Sequence, residues 1–188
     1  MAKRLSKWFC QFSKGWIALL SLIVFLVFTA LMLPGQSAMA EAYSKGLGSP
    51  DTTFVYSMRK LYAMAEAYGA AGRQAYIHAR FSFDLVFPLV YTFFLAVCTS
   101  WLLGRALPQT SPWRLLNLFP LTAMGFDYLE NIATAVVMSR YPTLSPAAAF
   151  LAPPLTFIKW LLVIGSFIAL VISLILFLAR RKKIKKSG

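Results

Sequence analysis

Acidic side chains are scarce in this chain. Six Asp and Glu stand against nineteen Lys and Arg, and charged residues of both signs make up only 13% of 188 residues. A soluble domain carries about 25% charged residues, so there is too little charge to clothe a core of this size in water. Histidine occurs once, as His78, and cysteine twice, as Cys10 and Cys98. That supply excludes a disulfide framework and leaves zinc, haem and iron–sulfur ligation without donors. Glycine-rich phosphate loops, nucleophile elbows and HExxH strings are missing too, as are internal repeats. The expectation is a chain that carries no cofactor and no metal.

What is present is apolar surface. Hydrophobic residues make up 59% of the chain, and the mean hydropathy is +0.66. A helix needs about 20 apolar residues to cross a bilayer core. Trp16–Leu33, Leu85–Leu103 and Trp160–Ala179 are uncharged runs of that order, and the last is already apolar from Leu151. A further candidate, 114–139, is less clean, because it contains Asn117, Pro120, Asp127, Glu130 and Asn131.

Charge placement decides how these runs are threaded. Lys3, Arg4, Lys7 and Lys14 precede the first run, Arg105 and Arg114 lie between the second and third, and Arg180, Arg181, Lys182, Lys183, Lys185 and Lys186 follow the last. Basic clusters flanking hydrophobic segments mark the cytoplasmic side and attract anionic headgroups. The same distribution argues against nucleic acid as the target of the +13 net charge. Without a crossing at 114–139 the basic tail would face outward, so the expected fold is an all-α integral membrane protein. It has four transmembrane helices (16–33, 82–103, 114–139 and 151–179), with cytoplasmic ends 1–14 and 180–188. The first run also resembles a secretory signal, since Ala38-Met39-Ala40 has the form of a cleavage site, but it is long for one. Residues 34–80 form an outer loop. Within it, Ser49-Pro50-Asp51 reads as a helix start, which predicts an amphipathic helix over 50–68 that bends at Gly69–Gly72.

Ionisable groups in hydrocarbon cost roughly 2.5–3.5 kcal/mol each on insertion scales and therefore need partners. Asp127, Glu130, Asn131 and Thr134 share one helix face by their spacing, and so do Tyr76, Arg80, Asp84 and Tyr91. Lys159 lies near the start of the last run. Depth counting brings these residues together in the outer half of the bundle, with Asp127 near mid-bilayer. The four-helix layout with buried acids is similar in outline to the sterol-isomerase and sigma-2-receptor type of membrane bundle, a likeness of architecture that assigns no residue a role. The reading that follows is a small polytopic membrane protein acting as a structural or assembly subunit. One alternative is a binder of lipid or a small amphiphile in a cleft at the cluster. Another is an intramembrane acid/base enzyme using Asp127 or Glu130. Expected partners are the bilayer, anionic headgroups at the cytoplasmic tail and other membrane subunits. The expected location is a bacterial inner membrane, or the endoplasmic reticulum in a eukaryote, where Lys185-Lys186 would act as a dilysine tail.

Overall fold

Long apolar runs fold as helices that satisfy their own backbone groups within each segment. The computed structural model describes residues 1–187 and their side chains to Lys183; the side chains of Lys185 and Lys186 lie outside the described residues. Among the described residues six α-helices follow one another: α1 (Ala2–Phe12), α2 (Gly15–Ser44), α3 (Met58–Arg80), α4 (Phe83–Ala106), α5 (Phe119–Arg140) and α6 (Pro146–Ser187). A 3-10 segment, Pro112–Leu118, leads into α5. Among the described residues there is no strand.

Among the described residues, three stretches are long and apolar enough to cross a membrane: Gly15–Ser44, Met58–Ala106 (α3 with α4) and Pro146–Lys183. Helices α2 and α6 are apolar nearly all round, as helices solvated by lipid are. Leu19, Leu20, Ile23, Val24, Leu26, Val27 and Leu31 of α2 are exposed, as are Ile164, Ile168, Val171, Ile172 and Ile175 of α6.

By contacts the chain divides into two units. The first contains Met1–Leu26, Val90–Ala123 and Leu162–Gly188; the second contains Val27–Leu89 and Met124–Leu161. In the first, Ile17 and Ala18 of α2 pack with Val97 of α4, and Phe25 stacks on Phe94 with the Phe167 ring tilted against both. Buried Asn117 is its polar centre. Its amide donates to the Ser6 carbonyl (3.2 Å) and to Ser100 Oγ (2.8 Å), tying α1 and α4 to the 3-10 segment. Cys10 packs on the same node, where burial, against the pull of Arg114, raises its thiol pKa. The thiol therefore stays protonated and unreactive.

In the second unit, α3 lies against α5 and α6. Leu61 packs with Ala133, Val137, Ala149 and Ala152, and Met64, Ala65, Tyr68 and Tyr76 pack with Met138. The predicted helix over 50–68 is corrected here. Helix α3 begins at Met58 and runs to Arg80, because Ser57 rather than Ser49 is the cap: its side chain accepts from the Lys60 N–H. Ser49 instead closes a turn, its carbonyl accepting from the N–H groups of Thr52 and Thr53. The expected bend falls on Gly69, at φ 62 and ψ −178. The 114–139 segment is likewise not one α-helix. Its first residues form the 3-10 turns, and α5 starts at Phe119.

Candidate functional site

Arg80 ends α3 and Asp84 sits in the first turn of α4, the termini at which helix dipoles favour a cation and an anion respectively. Their side chains meet at 2.6 Å. The Arg80 guanidinium also lies over the Tyr76 ring, 4.7 Å from its centroid, and donates to Asn131 Oδ1 at 3.3 Å. Asn131 in turn donates to Asp127 Oδ1, one helical turn back on α5.

Lys159 is the second cation, projecting from α6 with a side chain only 3% exposed. Its ammonium lies 3.1 Å from Glu130, 3.7 Å from Asp127 and 2.5 Å from Asp51. Asp51 also reaches Arg80 at 3.2 Å and so joins the two cations. The Asp51 backbone carbonyl accepts from Trp160 Nε1 at 2.8 Å. A few residues on, the Tyr56 hydroxyl shares a 2.9 Å hydrogen bond with that of Thr156, and the Ser145 N–H donates to the Tyr62 hydroxyl. Asp51 and Tyr56 thereby fasten down the connection between α2 and α3, and Tyr62 the first turns of α3. Burial alone would raise the Asp51 pKa, but Lys159 and Arg80 outweigh it and hold the carboxyl well below the ordinary range.

Of the residues singled out in the sequence, Arg80, Asp84, Asp127, Glu130, Asn131 and Lys159 meet here, with Tyr76 beneath Arg80. Thr134 faces the same way, but its hydroxyl bonds back to the Glu130 and Asn131 carbonyls of its own helix. Tyr91 is buried and belongs to the first unit. Asp51, Tyr56 and Trp160 had not been singled out. Asp51 had been read only as part of a helix start, and a loop residue offers no periodicity from which to infer its face.

Carboxylate oxygens of Asp51, Asp127 and Glu130 lie within 4.8 Å of one another, a donor set suited to a hard cation. The Lys159 ammonium already occupies the space among them. With Asp84 the cluster holds four carboxylates and two cations, all against a low-dielectric background in which each charge depends on its neighbours. Glu130 Oε1 and Arg80 Nε are among the polar atoms buried here without a hydrogen-bond partner. Compared with family models, curated proteins and solved structures, the chain matches none.

Proposed function

We propose that the chain is a four-span membrane protein with both ends on the cytoplasmic side, and that it serves as a structural or assembly subunit whose charged cluster is a latch. The observation that carries this reading is the occupation of the cluster by its own side chains. Lys159 fills the centre of three carboxylates, and Arg80 is engaged by Asp51, Asp84 and Asn131. A catalytic carboxylate needs an open approach for a substrate, and these are turned toward protein cations. The latch joins α3, α4, α5 and α6 to the 45–57 connection, which is the work of a scaffold.

Support for α5 as the fourth crossing comes from the same contacts. Its acids are met by Lys159 and Arg80, so they impose little cost on burial. From Trp160 to Ala179, α6 supplies 20 residues, about 30 Å of apolar helix. Lys159 and its partners would then lie at the outer edge of the hydrocarbon rather than at its centre. Trp160 beside them suits that interface. Labelling tests the topology. In a cysteine-free background, Glu66→Cys should react with a membrane-impermeant maleimide from outside, whereas Ser187→Cys should react only after lysis. Labelling of both from outside would remove α5 as a span. Native mass spectrometry of the purified protein tests the subunit role: a retained protein partner supports it, and a chain that is always alone overturns it.

A second reading, a binder of a small amphiphile, draws on Glu130 Oε1 and Arg80 Nε. A hydroxylated or carboxylated headgroup would satisfy one buried acceptor and one buried donor. A non-covalently retained amphiphile, lost in Glu130→Gln, would favour it.

A further inference from the structure

All six acidic residues of the chain, Glu41, Asp51, Glu66, Asp84, Asp127 and Glu130, fall in the second unit. The first unit has none, yet it carries Lys3, Arg4, Lys7, Lys14, Arg105, Arg114 and the basic residues of the tail. The unit's own sequence thus supplies no Asp or Glu beside them, and two groups of these cations are arranged rather than scattered.

The first group is on α1. One face of this helix is fixed: Ser6 Oγ donates to the Arg114 carbonyl at 3.0 Å, and Asn117 donates to the Ser6 carbonyl. At 100° per residue, the rest of the helix splits into two sectors. Leu5, Trp8 and Phe12 form an exposed apolar stripe, with Trp8 and Phe12 stacked at 5.2 Å. Lys3, Lys7, Gln11 and Arg4 form an exposed polar stripe beside it. This is the pattern of a helix that lies in a membrane interface, with its apolar side among acyl chains and its cations among headgroups.

The second group surrounds an aromatic pair, Trp101 of α4 and Phe177 of α6, whose centroids are 5.3 Å apart. The Arg105 guanidinium lies over Trp101 and that of Arg181 over Phe177. Arg180 donates to the Arg105 carbonyl at 2.6 Å, which brings a third guanidinium to the same place. Three exposed guanidiniums gathered in a unit with no Asp or Glu favour an anion, and the planar fork of arginine suits phosphate oxygens.

We propose that this basic face binds anionic phospholipid, with α1 lying in the headgroup layer and Arg105, Arg180 and Arg181 taking the lipid phosphate. The proposal rests on the membrane reading above and deepens it by naming a lipid class and a place. A phosphodiester headgroup matches the guanidiniums, and the exposed apolar stripe of α1 matches the chains beneath it. A soluble anion would have no use for that stripe.

The test uses the full chain in neutral detergent micelles, which have no sides, so its outcome does not depend on orientation. Phosphatidylglycerol and phosphatidylcholine are added in equal amounts, and retained lipid is read by native mass spectrometry. The proposal expects phosphatidylglycerol to be retained in preference, the preference to weaken as salt rises, and inorganic phosphate at the same concentration not to displace it. In Arg105→Gln/Arg180→Gln/Arg181→Gln, phosphatidylglycerol affinity should fall roughly 100-fold at low salt. Trp8→Ser/Phe12→Ser should weaken retention of both lipids. The triple glutamine variant also loses the two cation–π contacts and the Arg180 bond to the Arg105 carbonyl, so its helix content and a thermal midpoint within a few degrees of the parent are measured alongside to show that it folds. Equal retention of the two lipids, or a preference that survives the triple variant, overturns the proposal. Displacement by inorganic phosphate assigns the site to free phosphate and overturns the lipid assignment. Outside labelling of Ser187→Cys would instead sink the topology and leave this result standing.

Discussion

At the scale of single residues, the cluster is unequal in what it tolerates. Four carboxylates share two cations, so removing a carboxylate relieves repulsion while removing a cation adds to it. Lys159→Met should cost about 3–5 kcal/mol, the usual consequence of stranding buried charge. Glu130→Gln and Asp127→Asn should each cost less, read as thermal midpoints in micelles; the reverse order would contradict the latch. Thr134→Ala, which loses only hydrogen bonds to its own helix, should cost less still. Asp51 adds a dependence on pH. Its folded pKa lies below its unfolded value of roughly 3.9. Its contribution is therefore fully present above that value and disappears as pH falls through the lower, folded one. Asp51→Asn should therefore still cost stability at pH 5, and the loss should vanish only in strong acid. A loss that vanishes between pH 7 and pH 5 would contradict the ion pairs drawn here.

Elements show why part of the structure was legible in the sequence and part was not. Residues three or four apart on a helix share a face, so the meeting of Asp127 with Asn131, and of Arg80 with Asp84, is written in their spacing. Lys159 was placed by counting along a straight helix. Asp51 is tied to Lys159 across 108 residues, and such a contact leaves no local signature. The start of α3 was misread for a related reason. Ser49-Pro50-Asp51 is a respectable helix start and does close one turn, but the Asp51 side chain and carbonyl are held by Lys159, Arg80 and Trp160, and the chain goes no further as helix until Met58. Two glycines mark where α3 is shaped by more than propensity. Gly69, at φ 62 and ψ −178, lies where a side chain is strained, so Gly69→Ala should cost about 1–3 kcal/mol. A Cβ on Gly72 would come within 2.9 Å of Tyr43 Cβ, so Gly72→Ala should force α2 and α3 apart at a similar cost. Gly125→Ala, where nothing lies within 4 Å, is the control and should be neutral or stabilising by about 0.5–1 kcal/mol. Equal effects at all three positions would deny the close approach.

For the whole molecule, two independent constraints favour the same topology. One is electrostatic: the segments assigned to the cytoplasm carry twelve basic residues and no acid, whereas the short connection between α5 and α6 is bordered by Arg140 alone. The other is internal: Lys159 of α6 binds Glu130 and Asp127 of α5, and Arg80 binds Asn131, so α5 lies beside its neighbours whatever the tail carries. Each should suffice by itself. Replacing the six basic residues of the tail with glutamine leaves Lys3, Arg4, Lys7, Lys14, Arg105 and Arg114 to orient the chain. A cysteine at position 187 should then remain protected from outside reagent. Lys159→Met with an intact tail should be destabilised yet keep the same protection. Only the combination removes both the charge that holds the tail inside and the pairing that makes a polar α5 tolerable in the bilayer. In that combined variant α5 should fail to cross, and the cysteine should become labelled from outside in a sizeable fraction of molecules. If neutralising the tail alone exposes that cysteine, the α5 ion pairs contribute nothing to the crossing, and the cluster's role shrinks to fastening the 45–57 connection.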